Sequence, residues 1–136
     1  MEAVAAISSR VTWDSKDWEI PSNHEEILAD FQGWGEPIQN VLSLMGKPDI
    51  WALFEVPPAK TYFKGRVYMT GDTTHASTPH QASGAGMAIE DAYVLSNPLG
   101  QVEDLSHIEA AFKAFDAVRR ARTQKLVATS RECGEL

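Results

Sequence analysis

The sequence lacks or has little of what marks several common classes of protein. A single cysteine, Cys133, excludes an internal disulfide. No apolar run approaches the roughly 18 residues that a membrane-spanning helix requires. The first residues carry no basic segment ahead of an apolar one, so a secretory signal is not expected either. These absences predict a cytoplasmic protein without a membrane span.

Basic residues are also scarce. Lysine and arginine total 12 against 19 aspartates and glutamates, which gives a formal net charge of -7. An acidic chain repels the phosphates of nucleic acids and the headgroups of anionic membranes. We therefore predict no nucleic-acid partner. What is present, 43% hydrophobic and 23% charged residues over 136 positions, is typical of one globular domain.

The spacing of apolar and helix-breaking residues predicts an α/β fold with several helices and a few short strands. Asn23 and Glu26 have the spacing of a capping box and open a first helix. Pro37 suits the first turn of a second helix, which Gly46 is expected to end. A long helix is predicted from Asp104 onward, with an apolar stripe made of Leu105, Ile108, Ala111, Phe112, Phe115 and Val118.

Short strands are predicted over residues 3–8, 51–56 and 66–70. Residues 71–83 read as irregular, and a helix is expected over residues 86–96, before the Asn97-Pro98 pair. Tryptophans and phenylalanines are most simply assigned to the core, or to a surface that meets another part of the fold. No internal repeat is visible, so we expect a single unit.

The segment most informative about function runs from Arg66 to Ala92. It reads as a strand followed by the carboxylate of Asp72, a loop of small residues, and a helix with a glycine-rich N-terminus. A carboxylate at the end of a strand can accept hydrogen bonds from sugar hydroxyls. The helix N-terminus offers N–H groups and the positive end of the helix dipole to an anionic ligand. The alternative is a surface aspartate followed by an ordinary helix cap.

This segment resembles the second FAD-binding signature of the class A FAD-dependent aromatic monooxygenases, the salicylate hydroxylase and para-hydroxybenzoate hydroxylase type. The matching residues are Gly71, Asp72, His75, Pro79, Gly84, Gly86, Glu90, Asp91 and Ala92. The resemblance implies a partial FAD/NAD(P)-binding fold, the C-terminal third of a glutathione-reductase-like flavoprotein. Residues 1–64 would be a remnant of the substrate sheet and connecting helices, 65–100 the FAD-binding motif, and 101–136 the C-terminal helix.

The resemblance also implies FAD as cofactor, NAD(P)H as reductant and a phenolic or other aromatic substrate. Asp72, with Gly71 before it, would bind the ribityl chain of FAD, and Pro79 and His80 would lie near the flavin ring. Backbone N–H groups at the helix N-terminus would face N1 and O2 of the flavin, where the helix dipole stabilises negative charge. These groups belong to Gly84, Ala85, Gly86 and Met87.

The sequence departs from the family pattern at three positions and by one absence. Thr73 and Thr74 replace two alanines, and Ala82 stands where many members have glycine, so a positive φ there would strain the alanine. The GxGxxG motif that opens the family's dinucleotide-binding half is missing. We therefore expect a truncated chain that alone binds FAD weakly or not at all, with a possible partner chain that supplies the dinucleotide-binding half.

Alternative functions remain open at this point. A truncated, non-catalytic relative would act as a subunit or folding partner of a full-length monooxygenase. A small binding domain would reuse the glycine-rich loop for another ligand. A metal site made from Asp72, His75 and His80, with Glu90 or Asp91, is chemically suitable. The FAD signature already accounts for Asp72 and His75, so no metal is expected.

Two further groups of residues receive ordinary structural interpretations. Ser77 and Ser83 lack the setting of a catalytic nucleophile, because no Gly-x-Ser-x-Gly elbow is present. Cys133 has no histidine near it in the sequence and is interpreted as a residue on a helix face. The basic cluster near the C-terminus is interpreted as the solvated face of a helix. It comprises Arg119, Arg120, Arg122 and Lys125.

Overall fold

The computed structural model describes residues 12–135, which fall into two compact units that divide between Ala52 and Leu53. Helices and short strands occur in both, so the α/β prediction is confirmed at that level. The strand predicted over residues 3–8 lies outside the described residues. Within residues 12–135 no helix is long and apolar enough to cross a bilayer.

The first unit contains one pair of antiparallel strands. β1 (Glu19–Pro21) pairs with β2 (Asp49–Trp51), and Ile20 stands opposite Ile50. The strand predicted over residues 51–56 is therefore wrong, because the chain finds its backbone partner two residues earlier and leaves the sheet after Trp51. The partner strand, β1, lies among polar residues, so the sequence shows no strand pattern there.

Helix α1 (His24–Asp30) begins as the sequence predicts. The Oδ1 atom of Asn23 accepts a hydrogen bond from the backbone N–H of Glu26 at 2.9 Å. The carboxylate of Glu26 accepts instead from the hydroxyl of Ser22, at 2.8 Å. Asn23 is thus confirmed as the cap, while the return bond of the expected capping box goes to a neighbouring side chain.

Helix α2 (Glu36–Ser43) has Pro37 in its first turn, as predicted. It ends at Leu44, whose N–H closes the last turn on the carbonyl of Val41 at 3.1 Å. The prediction that Gly46 ends the helix is therefore wrong by two residues. The buried side chains of the two helices form one cluster, made of Ile27, Phe31 and Leu42.

Three tryptophans of the first unit are not core residues. Trp18, Trp34 and Trp51 are each more than half exposed, which corrects the core assignment made from their hydrophobicity. Trp34 packs edge-on against Phe31 with ring centroids 5.6 Å apart.

The second unit opens with a hairpin. β3 (Phe63–Lys64) pairs antiparallel with β4 (Val67–Tyr68), and Phe63 stands opposite Tyr68. Gly65 turns the chain with φ of +57°, a conformation that glycine adopts without the steric cost of a Cβ. The predicted strand over residues 66–70 is thus present in its central part.

Residues 71–83 are more regular than predicted. They contain the short helix α3 (Asp72–His75) and a 3₁₀ turn over Pro79–Gln81. Elements of three or four residues are too short to produce a hydrophobic period, so the sequence pattern could not reveal them.

Two long helices complete the second unit. α4 (Gly84–Leu99) is longer at both ends than the predicted 86–96 and continues past Pro98, before Gly100 closes it through an N–H bond to Ser96. α5 (Ile108–Gly134) begins four residues later than predicted. Asp104 instead caps a 3₁₀ turn, and its Oδ1 atom accepts from the N–H of Ser106 at 2.8 Å.

Helices α4 and α5 pack on the hairpin to form the core of the second unit. Tyr68 stacks on Phe112 with ring centroids 4.8 Å apart. The buried cluster comprises Tyr62, Leu95, Phe112 and Phe115. Leu105 and Val118 were predicted to belong to the stripe of α5, but each is 61% exposed. After Phe115, the buried line of α5 passes through Arg119 instead of Val118.

Candidate functional site

An open cleft of about 560 Å³ lies in the second unit, between α3, the 3₁₀ turn and the first turns of α4. Its walls carry mostly small side chains, with one carboxylate among them. The lining residues are Asp72, Ala76, Ser77, Thr78, Pro79, Ala82, Ser83, Gly84, Ala85 and Ala88. Four of the sequence-predicted site residues, Asp72, Pro79, Gly84 and Ala85, are thus brought together around one space.

The carboxylate wall depends on an unusual backbone conformation at Gly71. This residue has φ of +60° and ψ of -143°, which is accessible to glycine and strained for residues with a Cβ. The space around it is not the constraint, since an added Cβ would make only an ordinary contact with Ala88 at 3.9 Å. Gly71 lies behind the cleft lining, where it turns the chain from β4 so that Asp72 begins α3 at the edge of the cleft.

The two threonines that depart from the family pattern stabilise this turn. The hydroxyl of Thr73 donates to the carbonyl of Thr70 at 2.7 Å, and that of Thr74 donates to the carbonyl of Gly71 at 2.8 Å. Neither threonine lines the cleft. Their extra bulk relative to alanine therefore does not narrow the space beside Asp72.

The opposite wall is the N-terminus of α4, which has no side-chain cap. The hydroxyl of Ser83 donates to the carbonyl of Gln81 at 2.8 Å instead of accepting from the helix. The first N–H groups of a helix have no partner within it, so those of Gly84, Ala85 and Gly86 remain available. The N–H of Met87 differs, because it donates to the carbonyl of Ser83 at 3.0 Å.

Ala82 occupies the left-handed region of the backbone, with φ of +49° and ψ of +30°. The sequence predicts strain at this alanine only if its φ is positive, and that condition is met. The residue joins the 3₁₀ turn to α4 and lines the cleft. An alanine therefore carries backbone strain at a corner of the candidate site.

His80 does not line the cleft. Its imidazole packs against Gly134 near the end of α5, so closely that a Cβ added at Gly134 would lie 2.4 Å from the ring. Pro79, its neighbour, is exposed and lines the cleft. The 3₁₀ turn thus presents Pro79 to the space and directs His80 to α5.

Asp91 of α4 holds the Gly71 turn from behind. Its Oδ2 atom accepts from the backbone N–H of Gly71 at 3.0 Å, from the hydroxyl of Thr70 at 2.9 Å and from Nε2 of His75 at 2.7 Å. Asp91 and His75 are each 1% exposed. Burial raises the pKa of Asp91, but the donated hydrogen bonds outweigh it and hold that pKa below its ordinary value. Asp91 is therefore a buried carboxylate whose lone pairs are occupied.

Arg119 supplies the positive charge that Asp91 requires. Its Nε atom donates to Oδ1 of Asp91 at 2.7 Å, and its Nη2 atom donates to the carbonyl of Met87 at 3.1 Å. Arg119 is 2% exposed, so its assignment to a solvated helix face is wrong. The missed signal was the four-residue spacing from Phe115 through Arg119 to Thr123, which places the arginine on the buried face of α5.

Glu90 extends the ion-pair network to the surface. Arg122 donates to both of its carboxylate oxygens, at 2.8 and 2.7 Å, and Arg119 donates a further hydrogen bond. These bonds, those from Arg122 foremost, lower the pKa of Glu90 to about 2. Arg122 remains mostly exposed, so the solvated-face assignment holds better there than at Arg119.

The described residues offer little to the alternative chemistries. Within residues 12–135 there is no group of three histidine, cysteine, aspartate or glutamate side chains that could hold a metal ion. His75 is engaged with Asp91 through its Nε2 atom. Cys133 is exposed and lies 3.5 Å from the amide nitrogen of Gln81.

Comparison with known proteins identifies relatives over most of the chain. Residues 50–130 match the family model described as FAD binding domain. The chain is 40% identical over 132 residues to 6-methylsalicylate 1-monooxygenase atA of Aspergillus terreus, covering 97% of this chain and 30% of that protein. It is 37% identical over 142 residues to a salicylate hydroxylase of Pseudomonas putida, covering 100% of this chain and 33% of that protein.

Solved structures give the same result. A salicylate hydroxylase substrate complex superposes with a TM-score of 0.84 at 40% identity, covering 91% of this chain and 31% of that chain. Klebsiella pneumoniae HpxO complexed with FAD and uric acid superposes with a TM-score of 0.71 at 29% identity, covering 81% and 28%. The chain therefore spans about a third of the length of the relatives that it matches.

Proposed function

Because the chain belongs to the FAD-binding domain family, within the FAD-dependent aromatic monooxygenases, we propose that its cleft forms part of an FAD site. The observation that carries the proposal is the pairing of two walls. One presents the carboxylate of Asp72, and the other presents the uncapped N-terminus of α4. FAD is the cofactor of this family, and NAD(P)H is its reductant.

The cleft fits one half of FAD. A volume of about 560 Å³ is within the range that holds one drug-sized ligand, so it suits the flavin ring with its ribityl chain and not the whole dinucleotide. The donor and acceptor types also fit. A carboxylate accepts from hydroxyl groups, while N–H groups at a helix N-terminus favour an electron-rich or anionic edge.

In this proposal, each wall has its own task. Asp72 accepts hydrogen bonds from ribityl hydroxyls and fixes the depth of the ligand. The N–H groups of Gly84 and Ala85, which line the cleft, donate toward N1 and O2 of the flavin, and the helix dipole stabilises negative charge there. Met87 has no such role, because its N–H already donates to the carbonyl of Ser83. Pro79 bounds the flavin ring, whereas His80 supports the turn from the side of α5.

The bound FAD would supply the redox chemistry that no side chain of the cleft provides. We propose that the complete reaction is the NAD(P)H-dependent hydroxylation of a phenolic or related aromatic substrate. The support comes from the relatives, which include salicylate hydroxylases and a 6-methylsalicylate monooxygenase. Three expectations stay predictions. They are the glutathione-reductase-like fold, the division of the chain into residues 1–64, 65–100 and 101–136, and the cytoplasmic location.

The proposal is tested by titrating the ¹⁵N-labelled chain with FAD and following its amide signals by NMR. We expect weak, saturable binding, with a Kd on the order of 100 µM or higher, because the chain offers contacts to only part of the cofactor. The largest shifts should fall on Asp72, Gly84, Ala85 and Gly86. Saturable shifts confined to other residues would contradict the assignment of the site.

A pair of matched variants sharpens this test. Asp72→Ala removes the carboxylate of the cleft and should abolish the saturable shifts. Glu103→Ala removes an exposed carboxylate that does not line the cleft, and it should leave the titration unchanged. Equal loss in both variants would indicate a general effect of charge, and unchanged binding in Asp72→Ala would exclude the proposed role of Asp72.

We propose one second candidate, a subunit of a monooxygenase that completes its FAD site with another chain. It is supported by the described cleft, whose carboxylate and helix N-terminus offer contacts to one part of FAD. Mixing this chain with the dinucleotide-binding portion of a salicylate hydroxylase tests the idea. Tight FAD retention that requires both components supports the subunit role, and a mixture that binds no better than the separate components refutes it.

A further inference from the structure

Behind the lining of the cleft, one buried cation contacts groups that hold both walls. Arg119 comes from α5 and contributes nothing to the cleft surface. Its guanidinium nevertheless reaches Asp91 through Nε and the carbonyl of Met87 through Nη2. One contact leads to the Asp72 wall and the other to the N-terminal turns of α4.

The path to the Asp72 wall runs through Asp91. Its Oδ2 atom accepts hydrogen bonds on both sides of Asp72, from the N–H of Gly71 and from the ring of His75 at the end of α3. Gly71 immediately precedes Asp72, and His75 lies three residues after it. Because Oδ2 of Asp91 holds both neighbours, the position of Asp72 follows that of Asp91. An unpaired buried carboxylate would be strongly disfavoured, so Asp91 in turn depends on Arg119.

The path to the other wall is shorter. Met87 lies in the first turns of α4, and its carbonyl accepts from Nη2 of Arg119 at 3.1 Å. Gly84, Ala85 and Gly86 precede it directly in the same helix. A planar guanidinium has five N–H donors in a rigid fork, so it can hold two acceptors at a set angle, whereas an ammonium group is only a point charge.

We propose that Arg119 and Asp91 are positioning residues of the cofactor cleft, which set the spacing between the Asp72 carboxylate and the N–H groups at the start of α4. The ligand class that depends on this spacing is a flavin with its polyol chain, so the inference rests on the proposed function. Neither residue touches the ligand. Their effect on binding passes through the Gly71 turn and the Met87 carbonyl.

The test compares Arg119→Lys with Arg120→Lys in the same helix. Arg120 is partly exposed, and its one ion pair among residues 12–135 is with Asp116, at 3.1 Å, so it serves as a matched control. Two measurements are made on each ¹⁵N-labelled chain: amide shifts without ligand, and the FAD titration corrected for the folded fraction. We expect Arg119→Lys alone to shift Gly71 and Asp72 together with Gly84–Met87, and to raise the Kd for FAD about tenfold.

A milder variant keeps the inference testable if Arg119→Lys does not fold. Thr70→Val removes one donor to Oδ2 of Asp91 and leaves every charge in place; Thr70 is exposed, so folding should survive. It should shift the amides of Gly71 and Asp72 without moving those of Gly84 and Ala85, and weaken FAD binding about threefold.

The outcomes separate the inference from the proposed function. The inference is overturned if a folded Arg119→Lys chain leaves either wall unshifted, or if its affinity for FAD is unchanged while only its melting temperature falls. For an unfolded Arg119→Lys chain, absence of the Thr70→Val shifts at Gly71 and Asp72 overturns it. If the unmodified chain gives no saturable FAD shifts, the proposed function fails, and the measurements without ligand still decide whether Arg119 couples the two walls.

Discussion

Replacing Ala82 by glycine should stabilise the protein, although removal of a methyl group usually does the reverse. Ala82 has φ of +49° and ψ of +30°, where a Cβ costs about 1–2 kcal/mol. Glycine removes that cost but gives the unfolded chain about 0.4–1 kcal/mol more conformational entropy to lose. The side chain is exposed, so little packing is lost. The free energy of unfolding should therefore rise by about 0.5–1 kcal/mol.

Urea unfolding measures this change directly. The midpoint of the Ala82→Gly variant should move to higher urea with an unchanged slope, because the surface exposed on unfolding is the same. At the melting temperature, a gain of this size corresponds to a rise of about 2–8 °C.

The same substitution at Ala92 provides the control. Ala92 is exposed in the interior of α4, where glycine costs about 0.8–1 kcal/mol relative to alanine. The two variants should thus differ in sign. If Ala82→Gly destabilises the protein as much as Ala92→Gly does, the argument from backbone strain is refuted.

Two further predictions concern the buried polar groups of the second unit. Tyr62→Phe removes the 2.7 Å hydrogen bond between the buried phenol and the hydroxyl of Thr123. The free energy of unfolding in urea should fall by about 0.5–1.5 kcal/mol. Tyr93→Phe changes an exposed ring and should have no measurable effect. The folded-state pKa values of Glu90 and Asp91 are depressed, that of Glu90 to about 2. The stability that they contribute is therefore present above their ordinary pKa near 4 and should be lost as the pH falls through the folded-state values. Unfolding measured between about pH 5 and pH 2 should show this loss, with a smaller slope in Glu90→Gln; a stability that stays level over this range would contradict the network.

The sequence predicts features that depend on neighbouring residues. Asn23 lies three residues before Glu26. Whenever a helix starts there, the side chain of Asn23 can therefore accept a hydrogen bond from the N–H of Glu26. Gly65 turns a hairpin for a similarly local reason. The spacing from Gly71 to Ala92 was specific enough to identify the family, which the comparisons confirm.

Packing between distant segments decided what local patterns could not. Asp91 and Arg119 are 28 residues apart, and neither residue's type indicates burial when considered alone. Their burial depends on how α4 and α5 lie against each other, since a charge can leave water only where an opposite charge and hydrogen-bond donors are already in place. His80 shows the same limit, because its position against Gly134 follows from the docking of the 3₁₀ turn on α5.

By itself, the sequence identified the family, the cofactor that the family uses, and four of the residues that line the cleft. Those follow from residue types at set spacings, and chain connectivity preserves such spacings. Only the tertiary structure decided which of these residues line the cleft, which support it from behind, and that Arg119 connects its two walls. Distances through space between helices are set by the packing of the whole unit, and no local period of the sequence encodes them.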